Sequence, residues 1–257
     1  MPSGEGEDSL GSTQYFKKNY MIALKNKTVI TAVDEKYEWM LEWWYDNVRY
    51  NNPDLPITIA DWGMSAKMVE WAMANADTYI PLKRHNKHPW FHTVQLVIDS
   101  EYEYTAWIDA DCEIVGDISR LFDYADDEKI GLTWDICRIP ECFATGVIVA
   151  KNGGNDLLRD WSNLCIAGTE RGPQEALSKL LKIEPDYEIG YIKIMPGEYQ
   201  WLRKSLEGGH DTPTKKIIHW TGPLGNDIIR KKIAVREGER DGPVAYLKGN
   251  LTDLVEQ

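Results

Sequence analysis

Tyr104-Thr105-Ala106-Trp107-Ile108-Asp109-Ala110-Asp111 is the stretch on which the reading of this chain turns. Its first part is short, apolar and rich in aromatic and β-branched residues, which suits a buried strand, and the charge begins where the strand pattern stops. In an extended segment side chains alternate, so Asp109 and Asp111 are expected to project to one side and Ala110 to the other. Open α/β sheets place their ligands at the carboxyl ends of their strands. Converging carboxylate oxygens there suit Mg²⁺ or Mn²⁺ better than a soft metal, and such a cation could seat a phosphate-bearing ligand. Taken alone, the triplet also fits plain turn hydrogen bonding, the commoner use of two aspartates in such a spacing.

Upstream of this stretch, the strand pattern recurs with helices between. Thr28 to Val33 is apolar and β-branched, Asp34 stands at a helix N-cap position, and Tyr37, Met40, Leu41, Trp44 and Val48 form one helical stripe that Asn51-Asn52-Pro53 ends. Pro56 to Asp61 repeats the strand, and Ser65 can cap a helix carrying Met68, Val69, Ala72 and Met73 on its apolar face. Pro89 opens a further amphipathic segment, Trp90 to Ile98. Strands alternating with helices imply a parallel sheet covered on both faces. Downstream, Lys129 to Thr133, Phe143 to Ala150, Ile189 to Ile194 and Lys216 to His219 read as strands, and Asp156 to Ile166 and Gln174 to Leu181 as helices. The charged tail from Arg230, with Arg236 to Gly242 inside it, reads as surface loop with a short closing helix.

Composition bounds the function. The chain has 257 residues, enough for one large α/β domain, and no internal repeat or low-complexity linker divides it. Residues 1–20, rich in Gly, Ser and acidic groups, read as a flexible leader, and 21–257 as a single domain. No apolar run approaches the roughly 20 residues that cross a bilayer, so no membrane span is expected. With 41 acidic and 29 basic side chains the net charge is −12, which opposes binding to nucleic acid. An anionic ligand must then meet local positive charge or a metal. Cys112, Cys137, Cys142 and Cys165 match neither a disulfide framework nor a zinc pattern, and reduced thiols in a cytoplasm are the expectation.

The run Trp107-Ile108-Asp109-Ala110-Asp111-Cys112-Glu113-Ile114-Val115-Gly116-Asp117-Ile118 resembles the signature of glycosyltransferases with the GT-A fold, in particular the retaining family 8 that includes glycogenin and bacterial galactosyl- and glucosyltransferases. Other segments follow in that family's order. Thr31-Ala32-Val33-Asp34 resembles its first strand end, Ala144-Thr145-Gly146-Val147 its acceptor-side strand, Gln174-Glu175 its Gln-Asp pair, and Ile217-Ile218-His219-Trp220-Thr221-Gly222 its closing His-x-x-Gly motif. The likeness spans about residues 28 to 230. It implies an α/β fold, a Rossmann-like mixed and mainly parallel sheet flanked by helices, and transfer of a sugar from a nucleotide sugar, a UDP-sugar first, to a saccharide or other hydroxyl acceptor.

By the same resemblance, Asp109, Asp111 and His219 ligate Mn²⁺ or Mg²⁺, while Ala32, Asp34 and Ala110 line the nucleotide. Asp34 equally fits a simple helix cap. Gln174 and Glu175 lie near the donor sugar, with Asp135 a further sugar contact; a surface helix start behind Pro173 explains the pair as well. The chain departs from the pattern after Gly222, where Pro223-Leu224-Gly225 stands in place of the family's diphosphate lysine. Amides near Gly222 and Gly225, or Arg230, are the substitutes to consider. Lys83, Arg84, Lys87 and His92 are candidates for the basic residue usual in the helix before the triplet, and Trp134, Trp201 and Trp220 for stacking on an acceptor. The rival readings are an inactive GT-A-like carbohydrate-binding protein and a metal-dependent phosphoryl or nucleotidyl transferase. The sequence leaves the oligomeric state open.

Overall fold

The computed structural model describes residues 26–81, 89–136, 142–152, 155–168, 170–204, 211–212 and 214–240. The leader, Lys83, Arg84, Lys87 and Cys137 lie outside them. Ten strands form two sheets among the described residues. The larger comprises β1 (Lys27–Val33), β2 (Ile57–Asp61), β3 (Thr78–Ile80), β4 (Tyr104–Ile108), β6 (Ile130–Trp134), β7 (Phe143–Lys151) and β8 (Ile192–Ile194), in the order β3-β2-β1-β4-β7-β6-β8. Pairing is parallel except where β7 runs against β4 and β6. The smaller sheet joins β5 (Cys112–Ile114), β10 (Ile217–His219) and β9 (Trp201–Leu202) in the order β5-β10-β9.

Alternation along the central strands feeds two apolar layers. Val29, Val33, Ala106, Ile108, Val147 and Val149 turn to one face, where α1 (Leu41–Asn51), α2 (Ala66–Asn75), the small sheet and the long α7 (Gly222–Arg240) cover them. Ile30, Ala32, Trp107, Ile148 and Ala150 turn to the other, under α3 (Thr93–Ile98), α4 (Asp156–Ala167) and α5 (Pro173–Ile183). Leu41, Ile57, Leu157 and Leu177 are fully buried, each contributing roughly 1.5–3 kcal/mol by its removal from water. Ser65 caps α2 as expected, its Oγ accepting from Met68 N, whereas no helix begins at Asp34. Its Oδ1 accepts from Tyr37 N (3.1 Å) within a turn, a 3-10 turn Glu38–Met40 follows, and α1 starts only at Leu41, without a side-chain cap. Met73, expected on the inner face of α2, is exposed.

Two expectations are corrected. Ile189 to Ile194 is not one strand: a short helix, α6 (Asp186–Tyr191), precedes it, and only Ile192–Ile194 pairs, as β8 at the sheet edge. Pro185 at the N-cap, with Asp186 and Glu188 in the first turn, favours helix there over extension. The segment from Arg230 is likewise no loop, since α7 continues to Arg240. Buried Ile229 and half-buried Ile233 dock it on the core, and Lys232 and Arg236 bond Glu113 and Asn47. No described helix is long and apolar enough to cross a membrane.

Candidate active site

A cleft of about 600 Å³ opens at the carboxyl edge of β1 and β4, where parallel pairing brings Ala32, Val33 and Asp34 beside Asp109, Ala110 and Asp111. The two acids do converge, by a different route from strand alternation. Extension stops at Ile108, and Cys112 N donates to Asp109 O (3.0 Å), so residues 109–112 make a turn. Asp109 N donates to Gly146 O (2.8 Å), fixing the turn to β7.

The imidazole of His219, last residue of β10, faces this turn. Its Nε2 lies 3.1 Å from Asp111 Oδ1 and 3.8 Å from Asp109 Oδ2. The approach requires a glycine in β7: a Cβ on Gly146 would stand 2.5 Å from His219 Cε1 and 2.8 Å from Gln200 Nε2. Gln200 is anchored by accepting from Val147 N (3.0 Å), and its Nε2 lies 3.4 Å from His219 Nδ1. Trp107 Nε1 donates to Asp109 Oδ1 (2.6 Å), leaving Oδ2 toward the imidazole.

Electrostatics in this buried cluster favour an added positive charge. Burial alone would lower the His219 pKa, but Asp111, Asp109 and Asp135 raise it to about 9, so the ring carries a proton at neutral pH. Burial, with the neighbouring Asp111 charge, raises Asp109 to about 6 against the pull of His219. Burial also acts to raise Asp111, yet the charge and hydrogen bond of His219 hold it below the ordinary carboxylate range. Ligand atoms of Asp111, Cys112 and His219 lie within 4.8 Å of one another. Burial and the two aspartates push the Cys112 thiol well up, so it stays protonated and weak as a ligand. Two carboxylates and an imidazole are a donor set that fits Mn²⁺ or Mg²⁺.

The remaining expected residues divide. Asp135, Gln174 and Glu175 line the cleft, and Gln174 Nε2 donates to Asp135 Oδ2 (2.9 Å). Asp34 lines the cleft and holds the turn that follows β1 through Tyr37 N. Gly222, with φ at +82°, opens α7 at the cleft wall, a backbone conformation that costs a Cβ-bearing residue more. Arg230 stands apart from that lining, its guanidinium 3.8 Å over the ring of Trp39. Buried His92 is not part of the lining either. Trp134, Trp201 and Trp220 do not reach the cleft: Trp201 and Trp220 are core residues, and Trp134 stacks on Phe143. The tryptophans that do line it are Trp62, Trp90 and Trp107. Arg171, Lys204, Gln200 and Asn226 also line it without having been singled out from sequence. For Arg171 the available signal was its place just before the Pro173-led helix; Lys204 follows a two-residue strand that leaves no pattern.

No protein-family model matches the chain, and no curated protein matches it in sequence. Solved structures do. The galactosyltransferase LgtC, in complex with donor and acceptor sugar analogues, is similar at a TM-score of 0.60 and 12% identity, over 86% of this chain and 98% of that one. The glycosyltransferase GlyE of Streptococcus pneumoniae is similar at 0.56 and 14% identity, over 87% of this chain and 65% of its own. WbbM, a bifunctional glycosyltransferase, follows at 0.54 and 13%, over 76% and 46%. This chain therefore has the mixed α/β fold of the GT-A glycosyltransferases.

Proposed function

We propose that the chain is a glycosyltransferase that moves a hexosyl group from a nucleotide sugar, a UDP-sugar first, to a hydroxyl of a saccharide or other acceptor, with retention at the anomeric carbon. The observation that carries the reading is the imidazole of His219 turned onto Asp111 and Asp109 at the floor of the cleft. The GT-A fold supports it. Asp109, Asp111 and His219 would hold Mn²⁺ or Mg²⁺, which when bound supplies Lewis-acid stabilisation of the negative charge on the departing diphosphate.

Each neighbouring residue then has a task. Trp107 orients Asp109, and Gln200 and Gly146 set the plane of His219. Ala32 and Asp34 border the nucleoside end of the cleft, with Ala110 in the floor. Asp135 fixes the amide of Gln174 so that its carbonyl oxygen is free for the donor sugar, and Glu175 takes sugar hydroxyls. The transfer breaks the bond between the anomeric carbon and a phosphate oxygen and makes one to the acceptor oxygen, whose hydroxyl proton passes to the departing phosphate; no protein side chain is required as a covalent nucleophile. Residues 21–257 act as one domain on this reading. The free thiols of Cys112, Cys142 and Cys165 suit a reducing compartment such as the cytoplasm.

A thermal-shift panel of sugar nucleotides, each with Mn²⁺, tests the reading. A UDP-sugar is expected to raise the melting temperature, Asp111→Asn to abolish the rise, and the wild-type protein to hydrolyse that donor slowly without acceptor. Binding without hydrolysis or transfer would leave a carbohydrate-binding protein instead, and no response to any donor would sink the proposal.

A further inference from the structure

Among the described residues the cleft is lined by five carboxylates, Asp34, Asp109, Asp111, Asp135 and Glu175, and by two cations besides His219, namely Arg171 and Lys204. Both cations are exposed, and neither pairs with a carboxylate among the described residues. Lysines nearby are committed elsewhere: Lys215 to Asp211, Lys216 to Glu198 and Lys232 to Glu113. Position separates the two free groups. Arg171 precedes α5, on the side of Gln174 and Glu175, whereas Lys204 follows β9, the parallel neighbour of β10. Leu202 lies opposite His219, and the chains stay bonded beyond that point, Arg203 N to His219 O (3.0 Å) and Arg203 Nε to Thr221 O (3.4 Å). Arg203 is thus tied to both His219 and Thr221, and Lys204, the next residue, lines the same cleft as Thr221, Gly222 and Asn226.

We propose that Lys204 grips the diphosphate of the donor nucleotide, an inference that rests on the reading of the cleft as a nucleotide-sugar site. A diphosphate held at Asp109, Asp111 and His219 would meet that lining next, since Thr221 stands two residues beyond His219, where β10 ends. An ammonium on a flexible stem, with three donors and no carboxylate paired to it among the described residues, answers the charge of such a group. The other cation considered for this role, Arg230, is spent on Trp39. The lysine comes from a strand neighbouring the His-x-x-Gly segment, not from that segment itself.

The test is calorimetric titration of UDP, ADP and GDP, with saturating Mn²⁺, into wild type, Lys204→Gln, Lys204→Arg and Lys231→Gln. Lys231 is an exposed lysine of α7 outside the cleft, so its variant removes the same charge without the contact. Lys204→Gln is expected to weaken the preferred diphosphate about tenfold, Lys204→Arg to stay within about threefold of wild type, and Lys231→Gln to bind as wild type. Mn²⁺ affinity, read by electron paramagnetic resonance, is expected to be equal in all four. Wild-type affinity in Lys204→Gln, or an equal loss in Lys231→Gln, overturns the assignment to Lys204 while the nucleotide reading stands. Failure of the wild-type protein to take any of the three diphosphates defeats that reading and the assignment together.

Discussion

His219 carries a proton that any cation seated beside it would have to displace. Its pKa in the fold is about 9, against about 6.5 for an unperturbed imidazole, because Asp111, Asp109 and Asp135 outweigh burial. A group raised in the folded state contributes stability that is complete below about pH 6.5 and is lost as pH climbs through about 9. The unfolding midpoint of chelator-treated protein is therefore expected to fall between pH 6.5 and 9, and to fall less in His219→Gln; parallel slopes would mean that the carboxylates do not hold the ring. The raised pKa of Asp109 acts lower, its contribution lost as pH rises through about 6, so it does not mask this window. Mn²⁺ needs the neutral ring, so its affinity is expected to climb over the same interval. The two acids were legible because charge follows a strand pattern abruptly. His219 was legible through the family likeness alone, since an imidazole after two isoleucines has no local mark of ligation. Gln200 and Lys204 carry no signal, because only folding brings them to the cleft, and Arg171 is marked only by its place before the Pro173-led helix.

Elements were easier to read where periodicity was long. Tyr104–Ile108 was read to the residue, and the β1, β2, β6 and β7 patterns came within a residue or two, since buried central strands need unbroken apolar runs. The two-residue β9 and three-residue β5 were invisible, being made by pairing with β10 and not by their own pattern. The part of α7 from Arg230 reads as loop with a short closing helix because its charged face hides a docking stripe, and the end of α6 from Ile189 reads as strand because a short apolar run suits either state. β7 shows how an element can be tied to chemistry it does not perform. It must pass beneath the end of β10 with no side chain at Gly146. Gly146→Ala is expected to displace the ring of His219 and weaken Mn²⁺ binding 10- to 100-fold while the far-ultraviolet circular dichroism stays that of wild type. Unchanged Mn²⁺ affinity in that variant would show that the ring has room to yield.

At the scale of the whole molecule, one sheet serves both apolar layers, so neither can melt while the other stands. Calorimetry is expected to give a single unfolding transition, and Leu41→Ala on one face and Leu157→Ala on the other to shift that same peak, each by about 2–5 kcal/mol. Two resolved peaks would refute the shared sheet as the unit of cooperativity. The net charge of −12 opposes an anionic ligand, and on the proposed reading His219, Arg171 and Lys204 in the cleft offset it, together with the ion its acids would hold. Asp109 closes a strand of the large sheet, Asp111 leads into the small one, and His219 ends the small sheet's middle strand. Any ion seated among the three would thus act as a rivet between the two sheets.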